Sequence, residues 1–192
     1  MNAKGKIKHL PWMIVGGIVV LVLLWGMVAY NGLVSAEVGV DTAWGQVQSV
    51  YQRRADLIPN LVNTVKGAKN FEQSTIIAVT EARSRWAGAK TASEQVTAAN
   101  GLESALSRLL VVVENYPELK SNQNFLALQD ELAGTENRIN VERQRYNEGV
   151  GTYNKKLRTF PTVIIARMLG FEKRDFFAAE KGAEKVPVVG FE

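Results

Sequence analysis

The sequence predicts an all-α protein, with an N-terminal transmembrane helix that continues into an elongated antiparallel helical bundle of about four helices. Three observations carry this. No charged residue occurs in the 27 positions between His9 and Glu37. Beyond them, apolar residues recur at alternating steps of three and four, the spacing of one helix face. No hairpin dipeptide flanked by alternating runs supports a sheet.

A bilayer-spanning helix takes about 20 apolar residues, and residues 12–32 supply them, with Trp12 at one end and Trp25 and Tyr30 towards the other as interfacial aromatics. Lys4, Lys6 and Lys8 precede this stretch, and the first basic residues after it are Arg53 and Arg54. The positive-inside rule then keeps the basic leader, residues 1–11, in the cytoplasm and sends the body outside. The competing reading is a cleaved secretory signal, because Val34-Ser35-Ala36 resembles a processing site. The apolar region exceeds the roughly 7–15 residues of a signal core, which favours an uncleaved anchor.

The first seam runs Leu33, Glu37, Val40, Trp44, Val47, Tyr51, Arg54, Ile58, Leu61, Val65, so the anchor helix is expected to continue outward with a coiled-coil-like face. Gly67 is its expected stop. Pro59 removes one backbone donor and predicts a kink, or a break into two helices at Ile58. A second helix is expected over 70–87 on Phe71, Thr75, Ala78, Ala82 and Trp86. A third opens with the capping box Thr91-Ala-Ser-Glu94 and buries Val96, Ala99, Leu102, Leu106, Leu109, Val113 and Tyr116 before Pro117. The fourth begins near Ser121 or Asn122 and ends at Phe160-Pro161. Its seam is Phe125, Leu128, Leu132, Thr135, Ile139, Glu142, Tyr146, Gly149, Tyr153, Leu157 and Phe160. At about 40 residues, or roughly 60 Å, it matches the extramembrane part of the first helix and can lie beside it. Residues 33–161 thus form the bundle, and 162–192 a short apolar helix closed by Gly170 and a tail carrying Phe171, Phe176, Phe177 and Phe191.

Composition removes several chemistries. The 192 residues include no Cys and one His, His9, in the leader. No disulfide framework, cysteine nucleophile, Cys-type zinc site or iron–sulfur cluster can form, and histidine catalysis is disfavoured. The net charge of +4 rests on the leader: without Lys4, Lys6 and Lys8, 20 Lys/Arg face 19 Asp/Glu. A body so balanced gives no basis for binding nucleic acid by counterion release.

Several strings then carry a family resemblance: Tyr30-Asn-Gly-Leu-Val34, Arg53-Arg-Ala-Asp-Leu-Ile-Pro-Asn-Leu-Val62, Asn115-Tyr-Pro-Glu-Leu-Lys120, Asn124-Phe-Leu-Ala-Leu-Gln-Asp-Glu-Leu132, Thr135-Glu-Asn-Arg-Ile139, Arg145-Tyr-Asn147, Tyr153-Asn154 and Thr159-Phe-Pro161. In this order they closely resemble bacterial LemA family proteins, over Tyr30 to about Phe177, and the Pro187-Val188 ending looks similar too. The resemblance implies a bacterial, mostly helical protein anchored in the cell envelope, whose family has no settled enzymatic activity. It transfers nothing to the region between Arg85 and Asn100.

Strings and seams together single out Arg53, Arg54, Asp56, Pro59, Asn60, Glu136, Asn137, Arg138, Glu142, Tyr146, Asn147, Tyr153, Asn154, Phe160, Pro161, Ile164 and Leu169 as structural or interaction residues. No catalytic, cofactor-binding or metal residue is expected. Asp130, Glu131, Glu136 and Glu142 lack the Glu-x-x-His pattern of carboxylate metal bundles and read as a solvated face. Charges on a seam call for partners, so Arg54 is expected to pair with Glu142 and Arg138 with Asp56, or both seam charges reach water at its edge. Asn140, Asn147 and Asn154, seven residues apart, read either as a polar ladder between helices or subunits or as solvated side chains. The apolar group Val163, Ile164, Ile165, Met168, Leu169 and Phe171 reads either as a cap on the bundle core or as a surface meeting headgroups or another subunit.

The expected function is a non-catalytic envelope scaffold or adaptor, held in the bacterial cytoplasmic (inner) membrane and acting through self-association and contact with another membrane protein. The alternative is a tethered sensor that binds a peptide or lipid, and a carboxylate-only hydrolase is a weaker third reading. No cofactor is implied.

Overall fold

The computed structural model describes residues 10–177, with side chains from Trp12 onward. Lys4, Lys6, Lys8 and His9, which set the expected orientation, lie outside the described residues, as do Pro187, Val188 and Phe191. Among the described residues six helices follow one another: α1 Leu10–Lys66, α2 Gln73–Gly88, α3 Ala92–Val113, α4 Pro117–Lys120, α5 Gln123–Arg158 and α6 Thr162–Met168. There is no strand among the described residues.

The 57 residues of α1 form one helix, and the expected break at Ile58 does not occur. Pro59 cannot donate to the carbonyl of Ala55, four residues back. That carbonyl instead accepts 3.0 Å from Nε of Arg83 on α2. The helix ends at Lys66, one residue before Gly67. Its seam is buried at eight of the ten expected positions, with Glu37 and Trp44 half-buried.

The chain divides into two compact units, the first comprising residues up to Ala43 with Asn147–Phe176, the second Trp44–Tyr146 with the stretch from Phe177. In the second unit, α2 packs on α3. Asn70 takes φ 63°, a left-handed conformation that asparagine tolerates, and α2 therefore starts at Gln73 rather than at the expected residue 70. The buried stripe of α2 is Thr75, Ile76, Val79, Ala82 and Trp86, so Phe71 and Ala78, half-buried, do not define it. The expected capping box at α3 is complete: Thr91 Oγ1 accepts from the Glu94 amide at 3.2 Å, and Glu94 returns the contact to the Thr91 amide at 3.1 Å. Ala99, Leu102, Leu106, Leu109 and Val113 are buried on it. Between α3 and α5 stands the short α4, absent from the sequence reading because Pro117 reads only as a stop. It buries Leu119. Asn122 then accepts from the amides of Asn124 and Phe125, which fixes the start of α5.

In the first unit, residues 12–24 of α1 expose their side chains, while α1 from Leu33 onward buries its seam. A Cβ built at Gly149 would sit 3.7 Å from Val40, and Lys156 Nζ donates to the Gly32 carbonyl at 3.1 Å. The C-terminal part of α5 buries Val150, Tyr153 and Leu157. Phe160 is a correction: it is 76% exposed and no part of the seam. Gly170, at φ 74°, closes α6, because the left-handed turn lets the Phe171 amide reach back to the Ala166 carbonyl at 3.0 Å.

Candidate functional site: two arginines bridged by Glu103

The second unit contains a polar cluster inside its core. Tyr51 and Arg54 come from α1, Asn100 and Glu103 from α3, Glu136 and Arg143 from α5. Oε1 of Glu103 accepts from the Tyr51 hydroxyl at 2.5 Å and from Arg143 Nη2 at 2.8 Å, and lies 3.8 Å from Arg54 Nη1. Arg143 Nη2 also donates to the Tyr51 hydroxyl and to Asn100 Oδ1, the latter at 3.1 Å. Arg54 pairs with Glu136. Two guanidinium groups thus meet two carboxylates, and the charges balance.

Aromatic rings enclose the cluster. The Arg143 guanidinium lies 4.3 Å over the ring of Phe177 and 5.6 Å over that of Tyr51. Those two rings are near-parallel, at 6° and 6.2 Å between centroids, and Trp86 closes on Tyr51 at 4.9 Å. Trp44 joins Phe177 to Tyr146. A guanidinium over aromatic ring faces gains cation–π attraction, more so where it is largely buried.

Burial sets the electrostatics. The Tyr51 phenol is pushed well above its ordinary value of 10.0, by burial first and by the Glu103 charge second, with Arg143 opposing. It therefore stays protonated and keeps donating to Glu103. The Nε atoms of Arg54 and Arg143 are buried without hydrogen-bond partners, so part of the desolvation cost of each cation is uncompensated. The cluster can fix the register of three helices. No group of three potential metal ligands occurs among the described residues.

Arg54 is thus a seam charge with partners, but not the expected one. Glu136 and Glu103 hold it, while Glu142 pairs with Arg145 at 2.6 Å. Asp56 accepts from Gln52 rather than from Arg138, which is exposed with Asn137. Arg53 pairs with Glu131 at the surface, and Pro59 and Asn60 are exposed on α1. Tyr146 is buried against Trp44.

The remaining residues belong to the first unit. Asn147 is half-buried and Tyr153 fully buried. The Tyr153 phenol is raised by burial first and by Glu37 second. Of the asparagine repeat, Asn140 is exposed in the second unit, while Asn154 exchanges two hydrogen bonds with the Arg174 backbone, at 2.8 and 3.1 Å. Pro161 precedes α6 and is half-buried, whereas Ile164 and Leu169 are exposed.

Sequence reasoning missed Glu103, Arg143, Asn100 and Phe177 as site residues. Glu103 and Arg143 each follow a seam position, Leu102 and Glu142, and so sit at the edge of a buried face. Opposite charges at two such edges were the available signal.

Together the features define a class: an all-helical protein with a long apolar N-terminal helix and a buried arginine–carboxylate core. Residues 43–191 match the model of the LemA family, and the chain belongs to that family. It is 26% identical to Protein LemA of Metamycoplasma hominis over 159 residues, 82% of this chain and 72% of the relative. It is 34% identical over 89 residues to Magnetosome protein MamQ 2 of Paramagnetospirillum magneticum, and 32% identical to Magnetosome protein MamQ of Magnetospirillum gryphiswaldense. Those matches cover 46% of this chain and 32% of each MamQ, so the chain spans about a third of the length of these relatives.

Proposed function

We propose that this chain is a non-catalytic, membrane-anchored scaffold or adaptor of the bacterial envelope, acting through self-association and contact with other membrane proteins. The observation that carries the reading is α1 itself. One unbroken helix bears an exposed, wholly apolar segment at 12–24 and, from Leu33, the buried seam of the protein core. Such a helix suits an anchor whose outward continuation is part of the folded body. α3 is also long and apolar enough to cross a membrane. Its buried stripe against α2 and its capped start suit a core helix better.

In this reading residues 12–32 span the cytoplasmic membrane once, the leader is cytoplasmic and the body periplasmic. α1 and α5 run antiparallel within each unit. Support comes from pairings in which numbers rise along one helix as they fall along the other: Gly32 with Lys156 and Val40 with Gly149 in the first, Tyr51 with Arg143 and Arg54 with Glu136 in the second. The balanced charge cluster favours a structural role over proton transfer, because Glu103 Oε1 and Arg143 Nη2 are held by each other and by the Tyr51 hydroxyl.

The test is crosslinking of the full-length protein in its native membrane, followed by purification in mild detergent. A defined homo-oligomer or a reproducible membrane-protein partner is expected. A monomer that crosslinks to nothing would overturn the scaffold. A reporter fused after Glu192 should be active outside the cytoplasm, and activity inside would reverse the orientation.

A further inference from the structure

α6 lies beside the last turns of the apolar stretch of α1. A Cβ built at Gly26 would sit 3.9 Å from Ile165 Cδ1, and the Phe171 ring meets Tyr30 edge-on at 6.2 Å. On the outer side of that level, Lys156 reaches the Gly32 carbonyl. If residues 12–32 span a bilayer, α6 is level with the boundary between hydrocarbon and headgroups. Its side chains suit that level: Ile164 is 47%, Met168 75% and Leu169 55% exposed, and Phe160 just before it 76%. Such apolar area facing outward from a short helix is costly in water and stable at an interface.

A groove of about 620 Å³ adjoins it, lined by Asn154, Lys155, Arg158, Lys173, Arg174 and Asp175 among others. Arg158 and Lys173 also line a second recess of about 270 Å³ that contains Val163, Ala166 and Arg167 of α6, so the cations border both. Arg174 is neutralised by Glu37 at 3.1 Å and Asp41 at 3.3 Å. Lys155, Arg158 and Lys173 pair with no carboxylate among the described residues. Glu172, the nearest acid in sequence to Lys173, lines neither recess. Asn154 holds the Arg174 backbone to α5, next to Lys173, which lines both recesses together with Arg158.

We propose that this groove and α6 form a binding site for an anionic phospholipid, its phosphate taken by Lys155, Arg158 and Lys173 and its acyl chains lying over Ile164, Met168 and Leu169. The chemistry is that of a phosphate monoanion beside an apolar surface, which a free phosphate satisfies only by half. The site rests on the reading of residues 12–32 as a membrane span, and the experiment separates the two.

Because the chain lacks cysteine, single cysteines can carry a fluorophore in the full-length protein. Val20→Cys and Met168→Cys are labelled and reconstituted into vesicles containing spin-labelled lipid. Mid-chain spin labels should quench position 20, and headgroup-level labels should quench position 168. An unquenched position 20 overturns the anchor. A quenched position 20 with an unquenched position 168 overturns only the lipid site. Native mass spectrometry in neutral detergent then compares retention of short-chain phosphatidylglycerol with that of phosphatidylcholine, with inorganic phosphate as competitor. Wild type should retain phosphatidylglycerol preferentially and resist phosphate. Lys155→Gln, Arg158→Gln and Lys173→Gln should each lower retention about fivefold, with helicity unchanged, and Lys155→Arg should keep it. Equal retention of both lipids, displacement by phosphate, or unchanged retention in the Gln variants would overturn the site.

Discussion

The Tyr51 hydroxyl donates to the same Glu103 oxygen that receives Arg143, at 2.5 and 2.8 Å. This carboxylate is the point at which α1, α3 and α5 exchange charge. Changing Glu103 to Gln keeps its shape but removes the anion that Arg143 and Arg54 share. Arg54 retains Glu136, itself 38% exposed on its side chain, and Arg143 keeps only neutral acceptors. Breaking a buried pair by deleting one partner costs about 3 kcal/mol or more. Glu103→Gln should lower the melting temperature of the full chain sharply, and a melt within a degree or two of wild type would place the charge in effective contact with water.

Tyr51→Phe gives a pH signature. The folded-state phenol is raised above its ordinary value of 10.0, so the stability linked to it is complete below pH 10 and declines as pH rises beyond it. At neutral pH the variant should lose about 1 kcal/mol for the missing hydrogen bonds. Towards about pH 11 the gap to wild type should narrow, since only wild type must keep a buried phenol protonated against the solvent. Denaturant melts across that range are the measurement. A gap that stays constant would show that the phenol does not titrate against folding.

A double-mutant cycle on Arg54 distinguishes the observed partner from the expected one. Arg54→Ala combined with Glu136→Ala should show coupling of about 1 kcal/mol, moderated by the partial exposure of Glu136. The cycle with Glu142→Ala should show none, because Glu142 pairs with Arg145. Coupling to Glu142 alone would reverse the assignment.

The helices were legible wherever the apolar period was regular. The α1 seam, the capping box of α3 and the glycine that closes α6 all follow from local rules, each readable within a few turns. Partner choice was not legible, because matching Arg54 to an acid requires the register between helices, and Glu136, the acid that holds it, lies six residues from the expected Glu142 on the same helix. Phe160 does not belong to the seam at all: α5 ends at Arg158, before the three-and-four pattern reaches it. Phe177 was visible only as one of several tail aromatics. Its role depends on a chain return to the core that no periodic pattern reports.

Pro59 offers the sharpest test of local accounting. A proline inside a helix frees the carbonyl four residues earlier, and here Arg83 supplies the missing donor to Ala55 at 3.0 Å. A buried acceptor left unsatisfied costs about 1–3 kcal/mol. Arg83→Ala alone should therefore destabilise the chain by about that amount. In a Pro59→Ala background, residue 59 regains its N–H and can close the helical bond to Ala55, so the same Arg83→Ala change should cost distinctly less. The two substitutions compensate the same carbonyl, and their effects should be non-additive in that direction. Lys at position 83 keeps charge and reach but not the planar donor, and Arg83→Lys should fall between wild type and Ala. Equal costs of Arg83→Ala in both backgrounds, measured by thermal or denaturant melts, would show that Arg83 acts through its own packing and that the helix tolerates Pro59 without it.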